Sequence, residues 1–84
     1  MDSNVVQQAQ IARDFLDNEV VKRAFATTEE EFVREWKRAE DAGRREIAWA
    51  KIQGLEEVKR QLRKVISRGE YALIGENRRP AGSQ

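Results

Sequence analysis

The densest group of possible ligands in the chain is Glu29-Glu30-Glu31 with Glu35 one helical turn on, and carboxylates so placed could hold a metal ion. Di-metal sites in helical proteins, however, combine glutamates with a Glu-x-x-His pair, and this chain contains no histidine. The same absence removes the usual base for neutral-pH chemistry, so Ser3, Ser67, Ser83 and the threonines have nothing to activate them. There is no cysteine to supply a thiolate and no glycine-rich loop to cradle a phosphate. These residues therefore predict no catalytic site, no metal, no cofactor and no small-molecule substrate. The acidic run reads as a solvated helix face, with Glu30 and Glu31 both at ion-pair spacing from Arg34. As a site, Glu29, Glu30 and Glu31 would be an acidic contact face, mimicking nucleic-acid charge toward a partner protein.

A second charged stretch has the opposite sign. Lys59, Arg60, Arg63 and Lys64, with Arg78-Arg79 further on, are the candidates for phosphate contacts if the chain binds nucleic acid. Acids dominate the helix expected before them, so the simpler reading is charge complementarity between helices or subunits. A helix-turn-helix is disfavoured, because the helix after the tight Asp17-Asn18 turn is itself acidic and DNA would repel it.

The remaining candidates are apolar. Trp36 and Trp49 lie seven residues before and six after Gly43, so a chain reversing at that glycine brings the indoles level. At seam positions such a pair is expected to be core packing near the turn; were the indoles partly exposed, they would anchor a partner protein. Val20, Val33, Ile47 and Leu55 lie outside, or to one side of, the main apolar seams. With the tryptophans they make the candidate partner or oligomer surface.

The elements that position these residues are helical throughout. Asn4 caps a first helix over about 4–16, with apolar residues at Val5, Ala9, Ala12 and Leu16 and with Ile11 and Phe15 beside them. Asn18 then serves as N-cap, with Glu19 behind it at the positive end of the helix dipole. A second helix over about 19–41 carries Val21, Phe25, Thr28, Phe32, Trp36 and Ala39 at alternating steps of four and three, one seam that keeps its phase through the threonines. Gly43 supplies the turn. A third helix over about 44–68 carries Ala48, Trp49, Ile52, Leu55, Val58, Leu62, Val65 and Ile66; Gly54 within it costs about 1 kcal/mol relative to alanine unless another helix approaches closely there, and Gly69 ends it. Tyr71 is expected to fold back on the open end. The fold class is all-α: an antiparallel hairpin of two long helices with a short N-terminal helix packed at its open end, a small three-helix bundle. Residues 1–72 form the helical domain and 73–84 a flexible tail.

At 84 residues a single core is marginal, which itself argues for a partner surface, and the charges nearly cancel at 16 basic against 15 acidic. No apolar run approaches the roughly 20 residues of a membrane span, and Met1–Gln10 lacks the pattern of a signal peptide. A cytosolic protein is expected, in the host cytoplasm or in a virion if viral.

Asn18-Glu19, Ala24-Phe25, Trp36, Arg45-Glu46, Trp49 and the closing Gly69-Glu70-Tyr71-Ala72 together resemble a group of small helical proteins encoded by tailed bacteriophages and prophages, over about residues 15–72. The chain departs from that pattern at Thr28, a seam position where leucine is expected, and in a shorter loop around Gly43. The resemblance implies phage origin and a place in virion assembly, virion structure or DNA packaging, and it brings no catalytic residue. The expected function is protein–protein association without catalysis, through self-association or a protein partner. A nucleic-acid-binding accessory factor and a phage inhibitor of a host enzyme or defence complex are the alternatives.

Overall fold

The structure is a computed structural model, and it describes residues 3–77. Three helices, α1 (Ser3–Asp17), α2 (Glu19–Arg38) and α3 (Ala42–Asn77), account for nearly all of them, with no strand among the described residues. The all-helical class and the three helices match the sequence reading.

Asn18 alone separates α1 from α2. Its backbone is extended (φ −66°, ψ 128°) and its Oδ1 accepts from the Val20 and Val21 amides at 2.9 and 3.1 Å, satisfying donors that the first turn of α2 leaves open. Across this break the Phe15 and Phe25 rings meet edge-on, 6.3 Å between centroids and 86° between planes. α2 runs without interruption through Thr27 and Thr28.

The reversal is made by Ala39–Asp41, ahead of the expected glycine. Ala39 leaves the helix with extended backbone, its amide still bonding the Trp36 carbonyl, and the Asp41 carboxylate caps α3 by accepting from the Arg44 amide at 2.8 Å. Gly43 is therefore in the first turn of α3, and none of the described glycines has a positive φ. An aspartate three residues before the amide it caps replaces a left-handed glycine, which is why the turn arrives early.

α3 also outruns its expected end. Gly69 continues the helix, and Leu73, Ile74 and Gly75 lie within it, so the tail expected from residue 73 does not begin there. The rest of that expected tail, including Arg78 and Arg79, lies outside the described residues. Packing overrides the stop signal: a glycine costs a helix interior about 1 kcal/mol, and here it admits α1. Gly69 meets Ala9 and the Val5 carbonyl, while Arg13 bridges Glu70 at 3.0 Å.

α1 and α2 lie one after the other along α3, both antiparallel to it, and touch each other little. Val5 and Ala9 stand at Gly69, Phe15 beside Leu55 and Leu62, Glu29 opposite Lys59 and Glu35 opposite Lys51. The short first helix thus packs lengthwise at the open end of the hairpin. The result is a rod, 66 × 25 × 15 Å. Among the described residues its buried apolar side chains are Ala9, Ala12 and Ala48.

Candidate protein-docking surfaces

Two layers of helix cannot enclose large side chains, so the apolar seams are only half covered. Val21, Phe25, Thr28 and Phe32 of α2 and Ile52, Leu55 and Leu62 of α3 are each of intermediate burial. α3 closes the seam with two lysines. Lys59 Nζ stands 5.8 Å from the Phe25 ring centre and 3.5 Å from Glu29, and Lys51 Nζ stands 5.8 Å from the Phe32 ring centre and 3.0 Å from Glu35. Each lysine lays its alkyl stem along the seam and carries its charge out to a glutamate of α2. The charge complementarity expected between helices takes this form.

These pairings redraw the charged candidates. Lys59 is held between Glu29, Glu56 and the Phe25 ring, and Arg60 makes a two-pronged contact with Glu57 (2.6 and 2.7 Å), so neither is a free phosphate ligand. Arg63 and Lys64 are exposed. Glu29 turns inward to Lys59 while Glu30 and Glu31, each about 100° further round α2, turn outward, so the three do not form one acidic face. Among the described residues no cluster of possible metal ligands occurs. The Gln61 amide and then the Arg60 guanidinium donate to the Glu57 carboxylate and hold its pKa below the ordinary glutamate value. No described helix is long and apolar enough to cross a membrane.

The apolar candidates separate into two places. At the turn end, Trp36 and Trp49 are 38% and 53% exposed, which corrects the expectation that they form the core. Trp36 sits at the edge of the seam, and Trp49 follows the buried Ala48, rotated about 100° from it. Glu35, next to Trp36, faces Lys51, two residues from Trp49, so the two indoles lie at about the same height along the rod, as the sequence spacing implies. Val33 is half-buried near the same end, and Ile47 is exposed, lining a hollow with Glu35, Arg38 and Ala39.

Midway along the rod a different flank carries two adjoining apolar hollows. One, of about 410 Å³, is lined by Gln8, Ile11, Ala12, Phe15, Leu62 and Val65. The other, of about 220 Å³, is lined by Phe15, Val21, Ala24, Phe25, Thr28 and Leu55. Phe15 belongs to both, so the groove crosses the α1–α2 break unbroken, and no charged side chain lines it. Of the candidates, Leu55 faces this groove, and Val20, 75% exposed, lies one turn from Ala24 on its rim. Sequence reasoning treated Ile11, Phe15 and Val58 as core or neighbours of core. Leu55, Val58, Leu62 and Val65 belong to the side of the Leu55 to Ile66 run that the sequence leaves over once one partner helix is covered. Tyr71, expected against the open end, is 75% exposed instead.

Comparison of the chain with protein-family models, with characterised proteins and with solved structures yields no match.

Proposed function

We propose that this protein works by non-enzymatic association with another protein, and that the turn end of the rod, presenting Trp36 and Trp49, is its docking point. One observation carries the reading: two indoles stand at about the same height with much of their surface open to solvent, in a chain whose buried apolar side chains, among the described residues, are three alanines. Tryptophan contributes disproportionately to interfaces because it removes a large rigid surface from water at small entropic cost. The resemblance to helical phage proteins supports a partner in virion assembly, virion structure or DNA packaging. Nucleic-acid binding is the weaker reading, since two of its four described candidates, Lys59 and Arg60, are engaged within the fold.

The test is a photo-crosslinking residue placed at position 36 or 49 of the full chain, in cells producing the assembling particle, with the adducts identified by mass spectrometry. A single dominant adduct at both positions, lost when the other tryptophan is replaced by alanine, is expected. Absence of any adduct there, or adducts equally strong from a label at the outward-facing Glu30, overturns the assignment.

A further inference from the structure

On the reading of the turn end as a docking point, we propose that the hollow on its reverse side seats an acidic segment of the partner protein, with Arg34 and Arg38 bound to two of its carboxylates. Arg34 and Arg38 stand two residues before and two after Trp36, and Ile47 stands two before Trp49, each about 200° round its helix from the indole. The hollow they line therefore opens away from the tryptophans. It measures about 580 Å³, and guanidiniums line it from both helices, Arg34 and Arg38 from α2 and Arg44 from α3, beside the exposed Ile47.

The charges that line the hollow differ in what they already hold. Of its two carboxylates, Glu35 is taken by Lys51 at 3.0 Å, which leaves Glu31. Of its three guanidiniums, Arg44 keeps a long contact of 3.7 Å with Asp41, whereas Arg34 and Arg38 have no ion pair or hydrogen bond among the described residues. Four residues apart on α2, these two stand one turn above each other with Cβ atoms about 6 Å apart, and each can fork onto a carboxylate. Two acids one helical turn apart on a partner match that spacing. The rest of the lining selects a protein over a nucleic acid. A phosphate backbone carries its charge without gaps and would be pressed against Glu31 and Glu35, whereas a peptide can set its acids on the arginines and an apolar side chain on Ile47.

The experiment places the photo-crosslinking residue at position 47 of the full chain, in the same cells as for positions 36 and 49, and maps the adduct by mass spectrometry. The expected adduct is the partner captured at 36 and 49, joined through a segment with two Asp or Glu residues about one helical turn apart. Its yield should fall about tenfold or more in Arg34→Glu/Arg38→Glu. Circular dichroism should find that variant as helical as the wild type, since both arginines are exposed. Arg34→Gln/Arg38→Gln, which only removes the charges, decides the matter if the reversal unfolds the chain. No adduct at 47, an adduct undiminished in both arginine variants, a captured segment without acids, or a nucleic-acid adduct overturns the proposal. Any of these with the partner still captured at 36 and 49 leaves the proposed function standing. An arginine-dependent adduct to an acidic segment at 47, with none at 36 or 49, upholds the acidic contact and overturns the tryptophan docking point instead.

Discussion

Gly69 of α3 lies against Ala9 of α1 so closely that a methyl group added to it would overlap the alanine's own and stand 3.2 Å from the Val5 carbonyl oxygen. Backbone occupies part of that space, so the neighbours cannot swing aside as a flexible side chain would. Gly69→Ala is therefore expected to pry α1 from α3 and cost about 1–3 kcal/mol, although alanine is the better helix former. Thermal or urea unfolding followed by circular dichroism measures it, and a stabilised variant would show that α1 does not pack there.

Gly54 gives the opposite sign from the same substitution. It lies inside α3 with nothing within 4 Å of an added Cβ, so no close approach offsets its cost to the helix. Gly54→Ala should stabilise by about 0.4–1 kcal/mol, by restricting the unfolded chain and favouring the helix. A destabilised Gly54→Ala would indicate a surface covering that side of α3.

The contrast between these glycines shows what was legible in the sequence. The helices and the α2 seam follow from spacing alone, and the Asn18 cap from residue type, because each is a local property. A glycine's role depends on what stands opposite it, and nothing near Gly69 or Gly54 in the chain distinguishes a helix stop from a contact or from empty space. Lys59 was read as part of a basic patch because its charge is visible in the sequence, whereas its partners Glu29 and Phe25 lie roughly 30 residues away. The tryptophans are level as their spacing implies, yet exposed, because level says nothing about how many layers cover them.

Lys59 is consequently expected to behave as a structural residue. A double-mutant cycle on Lys59→Ala and Glu29→Ala should return a coupling of about 0.5–1 kcal/mol at low salt, shrinking as salt rises, since the pair is only partly screened from solvent. Lys64→Ala, at an exposed position, should stay within about 0.5 kcal/mol of wild type. Equal and small effects from both would return Lys59 to the list of free basic residues.

Glu57 sets a pH dependence. Its pKa in the folded chain is lowered by the Gln61 amide and the Arg60 guanidinium, so the unfolded chain takes up the proton first as pH falls. The carboxylate therefore adds stability above its unfolded value, and this is lost as pH drops through the lower folded value. Glu57→Gln cannot titrate, and its thermal midpoint should fall less steeply across the acid range than that of the wild type. Parallel profiles for the two proteins would mean that the Arg60 and Gln61 contacts do not persist in solution.

Trp49 offers the sharpest separation of folding from docking. A buried aromatic costs about 3–5 kcal/mol when truncated to alanine, through lost transfer energy and the cavity left behind. At 53% exposure Trp49 leaves no closed cavity, so Trp49→Ala should cost only about 1–2 kcal/mol and retain the helical signal. Its fluorescence, isolated in a Trp36→Phe background, should be red-shifted and readily quenched by iodide in the free chain. A blue-shifted, protected emission would mean that the indole is already covered in the free chain. A quenchable Trp49 that becomes protected only when the crosslinked partner is added would place the contact at the turn end.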